Sequence, residues 1–180
     1  SVWNEDKYFQ FVNRLCGGRE YQKEAIWTTL RYLLGEQYEN LASLAHENWQ
    51  NGNNDALAAK FKTFDALRDK LSFPEKLAGS LDLATGTGKS YVLYGLAAIL
   101  LAEGKVDRVL VLCPSTTIED GLLEKFRELA SNTELVSLLG AAAPKIINGS
   151  ESIVAGSICV ENYHQILDNA TSSIRDSLAG

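Results

Sequence analysis

The 180-residue sequence contains no methionine, only three cysteines and only two histidines. Each scarcity excludes a class of protein. Cys16, Cys113 and Cys159 are odd in number, far apart and without a CxxC pair, so neither a disulfide framework nor a thiolate zinc site is expected. They read as small buried hydrophobes. His46 and His164 are too few to build a metal centre. No apolar run approaches the roughly 20 residues that span a bilayer; the longest, residues 96–102, reads as a buried helix, so no membrane association is expected. The opening stretch SVWNEDKYF is polar and acidic, unlike a secretory signal, and a cytoplasmic location follows as an expectation. With no methionine even at position 1, the sequence is expected to be a piece of something longer.

Positive charge is also in short supply. Seventeen Lys and Arg face 23 Asp and Glu, a net charge of −6, and residues 80–180 hold 7 of the cations against 12 of the acids. Counterion release needs clustered cations, so strong nonspecific binding of nucleic acid by this chain alone is not expected. Local contact to a phosphate backbone through amides and hydroxyls stays open.

What is present is ordinary for one globular domain: 46% hydrophobic and 22% charged residues. Apolar residues recur at helical spacing over residues 5–15 and 19–34, with Cys16-Gly17-Gly18 breaking the chain between them and Gly35 closing the second helix. Two more helices are predicted over 36–50 and 53–71, joined by the turn Asn51-Gly52-Asn53-Asn54. In the latter, Leu57, Phe61, Phe64, Leu67 and Leu71 form a stripe that reads as a packing face rather than a partner-binding one. From Ser80 the rhythm changes. Strands are predicted over 81–84, 106–113, 134–139 and 157–160, and helices over 89–101, 118–130 and 163–169, with a loop between the last two strands. That alternation implies βαβ units and a parallel sheet. The expected fold is α/β with an α-helical N-terminal extension, divided into a helical region 1–79 and a sheet domain 80–180.

The chemistry concentrates in Thr85-Gly86-Thr87-Gly88-Lys89-Ser90, set between a predicted strand and a predicted helix. Glycines let the backbone take positive φ and approach phosphate oxygens closely. Successive N–H groups then form an anion nest, backed by the positive end of the helix dipole. Lys89 is expected to reach the β- and γ-phosphates, and the Ser90 hydroxyl to coordinate Mg²⁺. The usual motif wants a Gly five residues before Gly88, where this sequence has Leu83.

That variant, Ala84-Thr85-Gly86-Thr87-Gly88-Lys89, resembles motif I of superfamily 2 helicases and translocases. Three further blocks sharpen the likeness. Residues 19–26 (REYQKEAI) resemble the upstream element whose Gln reads the adenine edge; residues 109–118 (VLVLCPSTTI) look like motif Ia; residues 158–166 (ICVENYHQI) resemble the strand-to-helix segment ahead of motif II. Within the superfamily the blocks resemble the Res subunit of type III restriction enzymes, over about residues 19–170.

The resemblance implies part of a RecA-like P-loop domain that binds ATP and Mg²⁺. It implies that Gln22 hydrogen-bonds adenine and that Arg19 lies against the base, with exposed positions on an amphipathic helix as the alternative for both. Pro114, Ser115 and Thr116 match the motif that touches the nucleic-acid backbone; a plain helix N-cap accounts for Ser115 and Thr116 equally well. For the parent protein it implies a DNA-dependent ATPase and translocase of a restriction or phage-defence system, with a nuclease and a methyltransferase or specificity subunit as further implications. The rivals are a superfamily 2 enzyme acting on RNA or on protein–DNA complexes, and a nucleotide-binding regulatory module without motor function. One element is missing. No Asp-Glu pair ends an apolar strand after residue 119, so no DExx box is found to hold Mg²⁺ and polarise water. The chain alone is therefore expected to bind ATP weakly without hydrolysing it.

Overall fold

A computed structural model describes residues 3–35, 38–51, 54–84, 86 and 88–164. The chain forms two compact units: one takes in Asn4–Trp27 together with the chain from Ala84 onward, the other Trp3 with Thr28–Leu83.

The first unit carries the sheet. Its N-terminal part begins with a 3₁₀ turn, Glu5–Tyr8, capped by the Asn4 side chain, which accepts from the Asp6 N–H at 3.1 Å. Helix α1, Phe9–Cys16, follows and buries Phe11, Val12, Leu15 and Cys16. Helix α2, Glu20–Leu30, turns Gln22, Ala25 and Ile26 inward, the i, i+3, i+4 spacing of one helical face. Helix α6, Lys89–Ala102, is apolar almost all round and buries Val92, Tyr94, Gly95, Ala97, Ala98 and Ile99. A Cβ on Gly95 would come within 2.9 Å of both Ile26 Cδ1 and Leu15 Cδ2, which marks where α1, α2 and α6 meet. The junction is tied at its far end by Glu103, whose carboxylate accepts from Lys7 Nζ at 2.7 Å and Tyr8 Oη at 2.5 Å.

Among the described residues, three parallel strands make the sheet: β1 (Arg108–Cys113), β2 (Lys145–Asn148) and β3 (Ser157–Asn162), in the order β1-β3-β2. Arg108 and Lys145 both pair with Ser157 in register. The central strand is buried at every position, as a strand flanked on both edges and covered on its faces should be. Ile147, Ile153 and Cys159 form one core cluster, with Leu110 packed on it. Helix α7, Thr116–Ala130, buries Leu123, Phe126 and Leu129. Its Phe126 ring lies 5.8 Å from the Tyr94 ring of α6. The expected α/β class with a parallel sheet flanked by helices is the one observed. All three cysteines are buried and free.

Several expected elements differ. Residues 134–139 form a helix, α8 (Thr133–Leu139), not a strand. Asn132 caps it by accepting from the Leu135 N–H, and Gly140 closes it in the left-handed region; Leu135 and Leu139, four apart, are its buried residues. The missing strand is β2, which lies in the stretch expected to be a loop. Residues 81–84 take no strand conformation. Four residues hold an extended form only within a ladder, and the sheet of the described residues is built from segments further along. The helix expected over 163–169 begins at residues 163–164, and the rest of it lies outside the described residues.

The second unit is helical, with α3 (Leu41–Gln50), α4 (Asp55–Lys60) and α5 (Phe64–Arg68). The single helix expected over 53–71 is two, because Thr63 opens a new one by accepting from the Ala66 N–H. The expected apolar stripe is nonetheless the packed face: Leu67 is buried and Leu57, Phe61, Phe64 and Leu71 are half-buried. Phe64 meets His46 edge-on at 4.6 Å, and Trp49 Nε1 donates to the Phe61 carbonyl at 3.0 Å.

Candidate functional site

The turn into α6 is built on two glycines with positive φ, Gly86 at 77° and Gly88 at 69°. An N-cap usually sits in the β region; Gly88 instead caps α6 in the left-handed region, with ψ 47° and no side-chain cap. Alternation of such conformations turns successive N–H groups to one side and makes a concavity for anions. Lys89, exposed, and Ser90, half-buried, are the first two residues of the helix, where the dipole is positive. Thr85 and Thr87 lie outside the described residues.

Gln22 comes to this turn from α2. Its side chain is fully buried, and Nε2 donates to the Gly88 carbonyl at 3.1 Å. The same carbonyl accepts from the Tyr91 N–H at 3.1 Å. A Cβ at position 88 would lie 2.6 Å from Gln22 Nε2 and 3.2 Å from Tyr91 Cδ2, so Gly88 is required by space as well as by φ. Arg19, one turn before Gln22, donates from Nε to the Cys16 carbonyl at 2.9 Å and from Nη2 to the Leu15 carbonyl at 3.4 Å. Its guanidinium carbon stands 4.3 Å from the centre of the Tyr91 ring. The structure therefore brings Arg19, Gln22, Gly88 and the start of α6 together. Tyr91, which carried no signal in the sequence beyond following Ser90, joins them.

Pro114, Ser115 and Thr116 follow β1 at the carboxyl edge of the sheet, the edge where ligands bind in open α/β folds. Pro114 and Thr116 are exposed and Ser115 is half-buried. Ser115 is the N-cap of α7, its Oγ accepting from the Ile118 N–H at 3.3 Å. Thr116 Oγ1 accepts from Asn162 Nδ2 at 3.4 Å, so this turn is tied to the end of β3.

Beneath it lies a pair of buried carboxyl groups that the sequence did not single out. Glu119 and Glu161 are 8% and 4% exposed. The Asn162 N–H donates to Glu161 Oε1 at 3.1 Å. Burial raises the Glu119 carboxyl above its ordinary value, the negative charges of Glu161 and Asp120 add to that, and the Asn162 N–H partly opposes it. Burial and the neighbouring Glu119 also push the Cys113 thiol up. Among the described residues no group of three or more His, Cys, Asp or Glu could hold a metal ion. No helix of the described residues is long and apolar enough to cross a membrane.

The chain matches the family described as type III restriction enzyme, res subunit, over residues 16–178. Neither the curated proteins nor the solved structures compared with the chain give a match. A match over so much of the length shows the family, and the chain belongs to it. It is thus a superfamily 2 helicase-like ATPase segment with a RecA-like P-loop fold, from a family that uses nucleotide and Mg²⁺.

Proposed function

We propose that this member of the res-subunit family binds ATP at the turn into α6, for a parent enzyme that couples ATP hydrolysis to movement along duplex DNA in a restriction system. The observation that carries it is the pair of left-handed glycines, Gly86 and Gly88, opening a 14-residue helix on Lys89 and Ser90. That geometry suits a triphosphate, because backbone N–H groups, helix dipole and ammonium converge on one anion. Thr85 and Thr87 complete the loop in sequence. Lys89 serves as the charge on the β- and γ-phosphates, Ser90 as the Mg²⁺ ligand, and Gln22 and Arg19 as the base-side residues. Mg²⁺ held by the Ser90 hydroxyl would neutralise charge on the phosphates. Pro114 and Thr116 offer an exposed, uncharged edge to a nucleic-acid backbone, with Ser115, half-buried as the N-cap of α7, between them. A nuclease and a methyltransferase or specificity subunit belong to the same proposal for the parent.

Nucleotide is held here without being hydrolysed, since the sequence contains no DExx box. Calorimetry with Mg²⁺ and ATP tests the site. Lys89→Ala should abolish binding; undiminished binding by that variant overturns the assignment. DNA-stimulated phosphate release by these 180 residues would overturn the second part.

A further inference from the structure

Four residues close a ring of contacts around the N-cap of α6. Gly88 accepts from Gln22 Nε2 and from the Tyr91 N–H. Arg19 immediately precedes α2, and its carbonyl accepts from the Gln22 N–H at 3.0 Å. The Arg19 guanidinium returns to the Tyr91 ring at 4.3 Å, and the edge of that ring abuts Gly88. Two of these residues stand on the base side of the nucleotide reading and two on the phosphate side. Tyr91 closes the ring from the phosphate side, its aromatic ring lying against both Gly88 and the Arg19 guanidinium. Lys125 of α7 also approaches the ring, 5.6 Å from its centre, while paired with Glu128 at 2.8 Å.

We propose that Tyr91 is a positioning residue that sets base selectivity: its ring, between Gly88 and the Arg19 guanidinium, holds the first turn of α2 in register with the phosphate loop. The physical reason lies in what each side chain leaves undone. Arg19 is anchored by hydrogen bonds to the last carbonyls of α1, Leu15 and Cys16, and these bonds alone leave its plane free to tilt. An aromatic face under the guanidinium removes that freedom. A fixed Arg19 fixes the start of α2, and with it the Gln22 amide, the group that the proposed function assigns to adenine. Phosphate binding needs none of this, since it rests on the backbone of the loop and on Lys89.

The inference rests on the phosphate-loop reading, and its test separates the two. The 180-residue chain and the variants Tyr91→Leu, Tyr91→Met, Tyr91→Phe, Arg19→Met and Lys89→Ala are titrated with ATP, GTP and inorganic tripolyphosphate, all with Mg²⁺. The unaltered chain should prefer ATP to GTP. Tyr91→Leu should lose that preference by roughly threefold to tenfold, the size of a partly exposed cation–π contact, while keeping its tripolyphosphate affinity. Tyr91→Phe should restore the preference, because the ring face and not the hydroxyl is used. Arg19→Met removes the other half of the contact and should lose the preference as well; Tyr91→Met, which keeps bulk without an aromatic face, should behave like Tyr91→Leu and decides the matter if Tyr91→Leu fails to fold by circular dichroism. An unchanged ATP-to-GTP ratio in the Tyr91→Leu and Arg19→Met variants overturns the inference and leaves the phosphate loop standing. So does a parallel loss of ATP and tripolyphosphate, the mark of a merely structural ring, or an unaltered chain with no base preference. Binding that Lys89→Ala does not diminish overturns the phosphate-loop reading itself.

Discussion

The side-chain nitrogen of Gln22 donates to the main-chain carbonyl of Gly88 across 3.1 Å and 66 positions of sequence. The bond joins the residue expected to read a base to the residue that caps the phosphate helix. Gly88 has no room for anything larger, since its α-hydrogen side faces that same amide.

Gly88→Ala is therefore expected to be costly twice over. A non-glycine residue in the left-handed region costs roughly 1–2 kcal/mol, and the new methyl displaces Gln22, adding about 1 kcal/mol for the lost hydrogen bond. Thermal denaturation should show a Tm lower by roughly 4–10 °C at this chain length, and ATP affinity should fall. An unchanged Tm with unchanged affinity would contradict the contact.

Gly95 offers a graded test of the junction between α1, α2 and α6. Alanine there meets only the ends of the Ile26 and Leu15 side chains, and its better helix propensity, about 1 kcal/mol, offsets the crowding. Gly95→Ala should stay within about 1 kcal/mol of the unaltered chain. Gly95→Leu should lose roughly 2 kcal/mol or more through overpacking. Equal stabilities for the two variants in urea would show that the helices do not meet there.

Glu119 should report its burial through pH. Its carboxyl is raised by burial first and by Glu161 and Asp120 next, so its charged form is disfavoured in the fold. The resulting cost is absent below the ordinary value of 4.5 and grows as pH rises through the raised one. Glu119→Gln should be more stable than the unaltered chain at pH 7, by about 1 kcal/mol or roughly 2–4 °C, and no more stable below pH 4.5. A constant difference across that range would rule the mechanism out.

Glu103 should show the opposite sign. Hydrogen bonds from Lys7 and Tyr8 hold its carboxyl below the ordinary value, so its contribution is present above 4.5 and is lost as pH falls through the lowered value. Glu103→Ala leaves the buried Tyr8 hydroxyl without this acceptor and should cost about 1–2 kcal/mol at pH 7. The difference in denaturant midpoint between the two proteins should narrow as pH falls below 4.5; curves that stay parallel would contradict the assignment.

Much of the site is legible in the sequence because its chemistry is local. Glycines at 86 and 88 followed by Lys-Ser dictate a turn that an L-residue resists, whatever the rest of the chain does, and the structure gives both a positive φ. The run Arg108–Cys113 announces a strand through its β-branched, apolar residues, but the burial expected of it is only partly met: Val111 and Cys113 are buried, whereas Leu112 is 52% exposed. The stripe from Leu57 to Leu71 announces its packed face by spacing alone, even though the helix beneath it breaks at Thr63.

The rest was decided by partners that lie far along the chain. The segment from Glu134 to Leu139 is apolar enough for a strand or a helix, and the Asn132 cap together with a groove for Leu135 and Leu139 chose the helix. Lys145–Asn148 looked like a loop because four residues carry little periodicity; pairing with β3 made it a strand. Residues 81–84 carry a strand pattern but take no place in the sheet of the described residues. The Glu119–Glu161 pair and the Arg19–Tyr91 contact likewise join positions 42 and 72 apart in sequence. The sequence by itself determined the loop, the strand Arg108–Cys113 and the packing face, since backbone sterics and side-chain period act over a few residues. Which segments became ladder partners, and which charges became neighbours, only the tertiary structure decided, because hydrogen-bond pairing and desolvation exist only once distant segments have met.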